Sequence, residues 1–231
     1  MPVGGPRESR ASLFSAPYVT IHPPPRRGIR FSREELRHIV MASGALIAAF
    51  TLVFLNPLGR TFTAGDALQT VVSATVAVLT GFLLHELAHK VLAQRYGAWA
   101  EFRSSPGGLI LAVITGLLGF VFAAPGAVYI SGSLNKGENG RVSLAGPLTN
   151  FGIALAFLGS LVAFAPFLSG GLASWVRTIL NFTVYINLFL GGFNMIPIPP
   201  LDGSKVIAWN PAVWILTLIA IVGVFVAVFM L

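Results

Sequence analysis

A chain of 231 residues, 55% of them hydrophobic and only 10% charged, lies outside the proportions of a soluble domain and predicts a single polytopic membrane domain. The net charge of +7 calls for no nucleic-acid partner, because basic residues beside spans are retained in the cytoplasm and attract anionic lipid. Cysteine is absent, which excludes disulfides and thiolate ligands and leaves nitrogen and oxygen to hold any metal.

Residues 1–37 differ from the rest. Pro2, Pro6, Pro17 and Pro23 to Pro25 interrupt them, and Arg7, Arg10, Arg26, Arg27, Arg30, Arg33 and Arg37 make them basic. They read as a flexible cytoplasmic tail with a short amphipathic lead-in. The tail lacks the apolar core of a cleaved signal peptide, so the first span, His38 to Leu55, is expected to stay as an anchor. Residues 38–231 are the expected membrane-embedded domain, with its core over 67–205.

The chain leaves the cytoplasm through this span, turns at Asn56-Pro57, passes an external loop with Arg60 and Asp66, and returns in a second apolar run. That run, Ala67 to Leu84, carries no charge and ends at His85-Glu86-Leu87-Ala88-His89. Residues four apart share one face of a helix, so His85 and His89 can bind one Zn²⁺ while Glu86 reaches a water at the metal. Three ionisable groups within five residues are costly at bilayer depth and mark a functional site. Lys90, Arg95 and Arg103 follow on the cytoplasmic side.

Further apolar runs cover Gly107 to Ala124, Ser143 to Phe167, Thr178 to Ile196 and Pro211 to Leu231. Ala98 to Arg103 and Ala127 to Ser131 have strand character and can pair, and Gly132 through Gly140 reads as a polar turn. The expected fold is an all-α polytopic membrane protein of about five full transmembrane helices plus one re-entrant or membrane-dipping segment, with a small membrane-associated β element.

A catalytic zinc usually takes three protein ligands and leaves the fourth place for water. His22 and His38 lie in the tail and at the start of span one, Glu101 belongs to a polar strand, and Glu138 sits in a turn. After Ser143 the only acid is Asp202, in the stretch Asn194 to Gly203, where prolines stop a helix and leave carbonyls unpaired. Asp202 is the candidate third ligand. The alternative use of an Asp-Gly pair is a turn, with Lys205 near enough to pair with the acid.

These motifs together resemble the site-2 proteases, intramembrane zinc metallopeptidases. The likeness spans about Ala67 to Lys205. It rests on the His-Glu-x-x-His turn, on Ala145-Gly146-Pro147-Leu148-Thr149-Asn150, and on Asn194 to Gly203, which matches an Asn-x-x-Pro…Leu-Asp-Gly signature. The resemblance implies one Zn²⁺ held by His85, His89 and Asp202, with Glu86 as base and Asn194 near the metal to bind the substrate carbonyl; Asn150 matches a less strictly defined polar position that implies substrate binding. The soluble zinc peptidases fit worse, since their longer motif would need glycine at Leu92 and histidine at Arg95.

One zinc cannot be ligated from opposite sides of a bilayer, so an even number of crossings must separate His89 from Asp202. The run Gly107 to Ala124 would make that number odd, and it is therefore expected to dip and return. Its glycines could instead serve helix packing. The expected reaction is hydrolysis of a peptide bond in or near a transmembrane segment of another protein, with Ala98 to Arg103 as a strand edge that could hold the substrate extended. The expected location is a prokaryotic plasma membrane, multi-pass, with the N-terminus cytoplasmic. Two other classes remain: a catalytically silent protein that binds membrane helices, and a zinc transporter, which normally places its site at the midplane between repeats.

Overall fold

The structure is a computed structural model that describes residues 28–59, 61–167 and 169–230. Most of the Pro- and Arg-rich tail, Arg60 in the first loop, Leu168 and Leu231 lie outside the described residues. Ten elements follow in chain order: α1 (Arg33–Leu55), α2 (Ala64–Val78), α3 (Leu84–Arg95), β1 (Trp99–Ser104), α4 (Pro106–Leu117), β2 (Gly126–Ser131), α5 (Lys136–Phe164), α6 (Gly171–Asn194), α7 (Asp202–Trp209) and α8 (Pro211–Met230). Five helical segments among the described residues are long and apolar enough to cross a membrane: Arg33–Leu55, Ala64–Arg95, Lys136–Phe167, Gly171–Asn194 and Pro211–Met230. The fold is the all-α polytopic one with a small β element.

Caps explain where helices start earlier than expected. The side chain of Ser32 accepts from Glu35 N–H, so residues 33–37, read from sequence as the end of the tail, form the first turn of α1. Asn135 and Glu138 make a reciprocal capping box, so Lys136 to Gly140 open α5 instead of belonging to a turn. With no side-chain cap, α6 begins at Gly171, ahead of the apolar run expected from Thr178. The second span is one helical rod in which a π turn, Leu79–Leu83, joins α2 to α3. Such a wide turn leaves backbone groups free for other partners and is frequent at functional sites.

The excursion between the strands returns to its origin. β1 and β2 pair antiparallel, with Trp99 opposite Ser131 and Ser104 opposite Gly126, and Ser105 N–H donates to Pro125 O at 2.9 Å. The 12 residues of α4 rise only about 18 Å, short of a hydrocarbon core of about 30 Å. Gly119, at φ +91°, turns the chain back, and residues 121–125 lead to β2. Gly126 is held to glycine by its φ of +145° and by Arg103 and Phe102, against which a Cβ would collide.

Two apolar cores flank the rod. One joins α1, α2, β1 and α4 through Leu46, Phe50, Val78, Phe82, Phe102 and Leu109; the other joins α5 to α8 through Ala154, Leu188, Met195, Val206 and Ile221. A buried ion pair ties α1 to the rod. Lys90 donates to Glu35, which also accepts Phe102 N–H at 3.0 Å, and the Phe31 ring covers the ammonium at 4.2 Å. A charge removed from water needs this many partners.

Candidate metal centre

His85 and His89 lie on one face of α3, just past the π turn, and Asp202 opens α7. All three are buried. Asp202 Oδ2 stands 3.3 Å from His85 Nε2 and 3.1 Å from His89 Nε2, and one donor atom from each residue lies within 4.8 Å of the others. Ligands at zinc distances of about 2.0–2.1 Å in a tetrahedron are separated by about 3.3 Å, so this donor set fits the metal.

The opposite ring nitrogens are occupied, which aims both Nε2 atoms inward. His85 Nδ1 meets Asn150 Oδ1 at 2.5 Å, and His89 Nδ1 donates to Val142 O at 2.7 Å. Both partners are on α5 and accept only, so the proton sits on Nδ1 and the lone pair on Nε2. Gly146, between them on α5, confirms the space: a Cβ there would stand 2.5 Å from both Nε2 atoms. The helix comes this close only because residue 146 has no side chain.

Asp202 reaches the site because of the loop before it. Trp214 Nε1 on α8 donates to Met195 O at 2.8 Å, and Gly203 packs where any Cβ would strike the backbone of Met195 and Ile196. No ion pair joins Asp202 to Lys205 among the described residues, so the turn-and-pair alternative is not the arrangement adopted.

The donors open on a cavity of about 240 Å³ with mostly apolar walls. Glu86, Asn194 and Lys205 line it with Phe50, Phe82 and residues 121–128. Asn194 Nδ2 donates to Leu190 O at 2.9 Å, which leaves one amide hydrogen and the oxygen for a ligand. Asn150 is placed differently from the expectation of substrate binding. It is fully buried, accepts from His85, and donates to Gly81 O at 2.8 Å and Asn187 Oδ1 at 3.2 Å. Its polar atoms are engaged by His85, Gly81 and Asn187.

The strand edge is also corrected. The outer edge of β1 is occupied: Phe102 N–H donates to Glu35, and Ala100 O accepts from Gln94. Phe102 stands opposite Val128, and such a pair points its amides outward on both strands. The backbone of Val128 accordingly faces the Glu86 carboxylate, and the edge that borders the cavity is that of β2. Sequence reasoning missed the Val142 carbonyl, Thr80 and Asn187. Asn187, an amide inside an apolar run, was the available signal.

Comparison with known proteins finds a Methanocaldococcus jannaschii protein named "Putative zinc metalloprotease MJ0611", 40% identical over 196 residues, 84% of this chain and 94% of that protein. "Zinc metalloprotease MJ0392" of the same organism is 28% identical over 57% of this chain and 32% of its own length. YwhC of Bacillus subtilis, named like the first, is 28% identical over 57% of this chain and 66% of its own. No family model and no solved structure matches.

Proposed function

The chain belongs to the site-2 protease-like family of zinc metalloproteases, and on that premise we propose that it hydrolyses a peptide bond within or beside a transmembrane segment of another membrane protein. The observation that carries this reading is the convergence of His85, His89 and Asp202 beside Glu86, in an apolar cavity bordered by β2. A transmembrane segment brings apolar side chains that match these walls. The site lies on the same five-helix body that the bilayer would surround.

His85, His89 and Asp202 would hold one zinc, which when bound polarises a carbonyl and makes water acidic enough to give up a proton near neutral pH. Glu86, lining the same cavity one position after His85, accepts that proton and passes it to the leaving amine. Asn194 uses its free amide hydrogen to stabilise the oxyanion, a contact worth on the order of 3 kcal/mol. Helical carbonyls are shielded by their own hydrogen bonds, so the scissile segment must be extended. The β2 edge that borders the cavity is the place for it, as an added strand. A prokaryotic plasma membrane with the N-terminus cytoplasmic accounts for the basic residues at Arg33, Arg37, Lys90, Arg95 and Lys205.

The test is a cleavage assay on a reconstituted transmembrane substrate beside metal analysis. Glu86→Gln should keep its zinc and lose cleavage, because an amide accepts no proton. Asp202→Ala should lose both. Full cleavage by Glu86→Gln would remove the base from the mechanism, and a zinc-loaded wild type that cleaves no membrane substrate would favour a silent binding protein.

A further inference from the structure

Asn150 fixes His85, and a further pair of side chains fixes Asn150. Asn187 on α6 is fully buried. Its Nδ2 donates to Thr183 O at 2.9 Å and to Thr80 Oγ1 at 3.1 Å, so its Oδ1 faces Asn150. Thr80 stands in the π turn, and its hydroxyl hydrogen goes to Val76 O at 2.8 Å, which leaves a lone pair for Asn187.

We propose that Asn187 and Thr80 are positioning residues that set the tautomer of His85, and with it the availability of its Nε2 for metal, by fixing the orientation of the Asn150 amide. Every direction in the chain is forced by a backbone carbonyl that can only accept. Were Asn187 turned over, its oxygen would face Thr183 O and its NH₂ would face that of Asn150. Were Asn150 turned over, its oxygen would face Gly81 O, and its NH₂ would meet His85 Nδ1. That second orientation demands an unprotonated Nδ1, which puts the hydrogen on Nε2 and blocks the atom that faces Asp202.

The geometry joins three spans. Thr80 and Gly81 belong to the rod that carries His85, Asn150 to α5 and Asn187 to α6. The π turn supplies the acceptor, because Gly81 O is available to Asn150 at the place where the helix widens. The orientation of a metal-binding ring is thus referred to the packing of α5 and α6 against the rod. Outer partners of ligand histidines are typically worth about 10- to 100-fold in metal affinity.

The inference rests on His85 being a ligand, as in the function proposed above, and its test reads metal, with no need of cleavage. The full chain is purified in detergent, zinc affinity is measured by competition with a chromophoric chelator, and cobalt(II) replaces zinc for its visible spectrum. Asn187→Leu and Thr80→Val should weaken zinc on the order of 10- to 100-fold and alter the cobalt bands. Thr80→Ser, which keeps the hydroxyl, should match wild type. In the metal-free protein, imidazole ¹⁵N shifts should show His85 protonated at Nδ1 in wild type and a mixture of tautomers in Asn187→Leu. If Asn187→Leu does not fold, the contrast between Thr80→Val and Thr80→Ser decides. Wild-type zinc affinity and an unchanged cobalt spectrum in Asn187→Leu and Thr80→Val, whatever their melting temperatures, would reduce the network to packing and overturn the inference. That result would leave the protease reading standing, and absence of cleavage by a zinc-loaded wild type would do the reverse.

Discussion

Replacing Gly146 by alanine should separate metal binding from folding. The new Cβ would lie 2.5 Å from the Nε2 atoms of both histidines, where ordinary contact begins at 3.4 Å, so the rings or α5 must retreat by about 0.9 Å. Zinc sites tolerate about 0.2 Å in a ligand distance, and the shift exceeds that several-fold. A structural zinc is worth about 10–16 kcal/mol over its ligands, so spoiling one ligand costs about 3 kcal/mol, on the order of 100-fold in affinity. The helix itself favours the change, since alanine is better than glycine in a helix interior by about 1 kcal/mol. Against that gain stands overpacking of about 1–3 kcal/mol against two held rings, so the expected result is a metal-free protein that melts no higher than wild type, with zinc affinity lower on the order of 100-fold by chelator competition. Gly159→Ala, on the same helix but with open space around it, should keep wild-type affinity. Gly146→Ala binding one zinc as tightly as wild type would refute the placement of the metal between His85 and His89.

Cysteines placed at 103, 136, 172 and 205 of this cysteine-free chain should react with an impermeant reagent from outside intact cells only at 172; labelling at 136 but not 103 would contradict the return of α4. Protons compete with zinc for both imidazoles and for the Asp202 carboxylate, so zinc affinity measured by chelator competition should fall as pH is lowered, and an affinity that does not change with pH would contradict the ligand assignment. Glu35→Gln leaves the Lys90 ammonium buried without its anion and should cost about 3–5 kcal/mol in unfolding measured in detergent; the double change with Lys90→Met should cost clearly less, and equal losses would deny the pairing.

The parts of the site that announce themselves in sequence are those that break a local rule. Two imidazoles and a carboxylate in an apolar run, and one acid in a proline-rich break, conflict with a lipid surrounding and can be read without a structure. The dip of α4 was legible from parity, because a single metal forbids an odd number of crossings. The supporting groups were not legible. Thr80 is ordinary polar relief in a span, and Asn187, although an amide inside an apolar run, names no partner until three helices meet in three dimensions. Val142 contributes a carbonyl, which every residue has. Strand pattern offers Ala98 to Arg103 as an edge that could hold a substrate, but it does not say which side a neighbouring helix covers, and Glu35 covers that of β1. The capping box at Asn135 and Glu138 was readable and moves the start of α5 into what had been a polar turn.

The ion pair between Glu35 and Lys90 has a consequence for biogenesis. The chain is made from its N-terminus, so α1 enters the bilayer while Lys90 is still unsynthesised. Until the second span docks, the carboxylate and the ammonium are each exposed to lipid headgroups or solvent without a mate, and Phe102 has no acceptor for its amide. Docking neutralises both charges and pins the hairpin that borders the cavity in the same event. A molecule whose first helix is misplaced therefore keeps the Lys90 ammonium without its anion, one residue from His89.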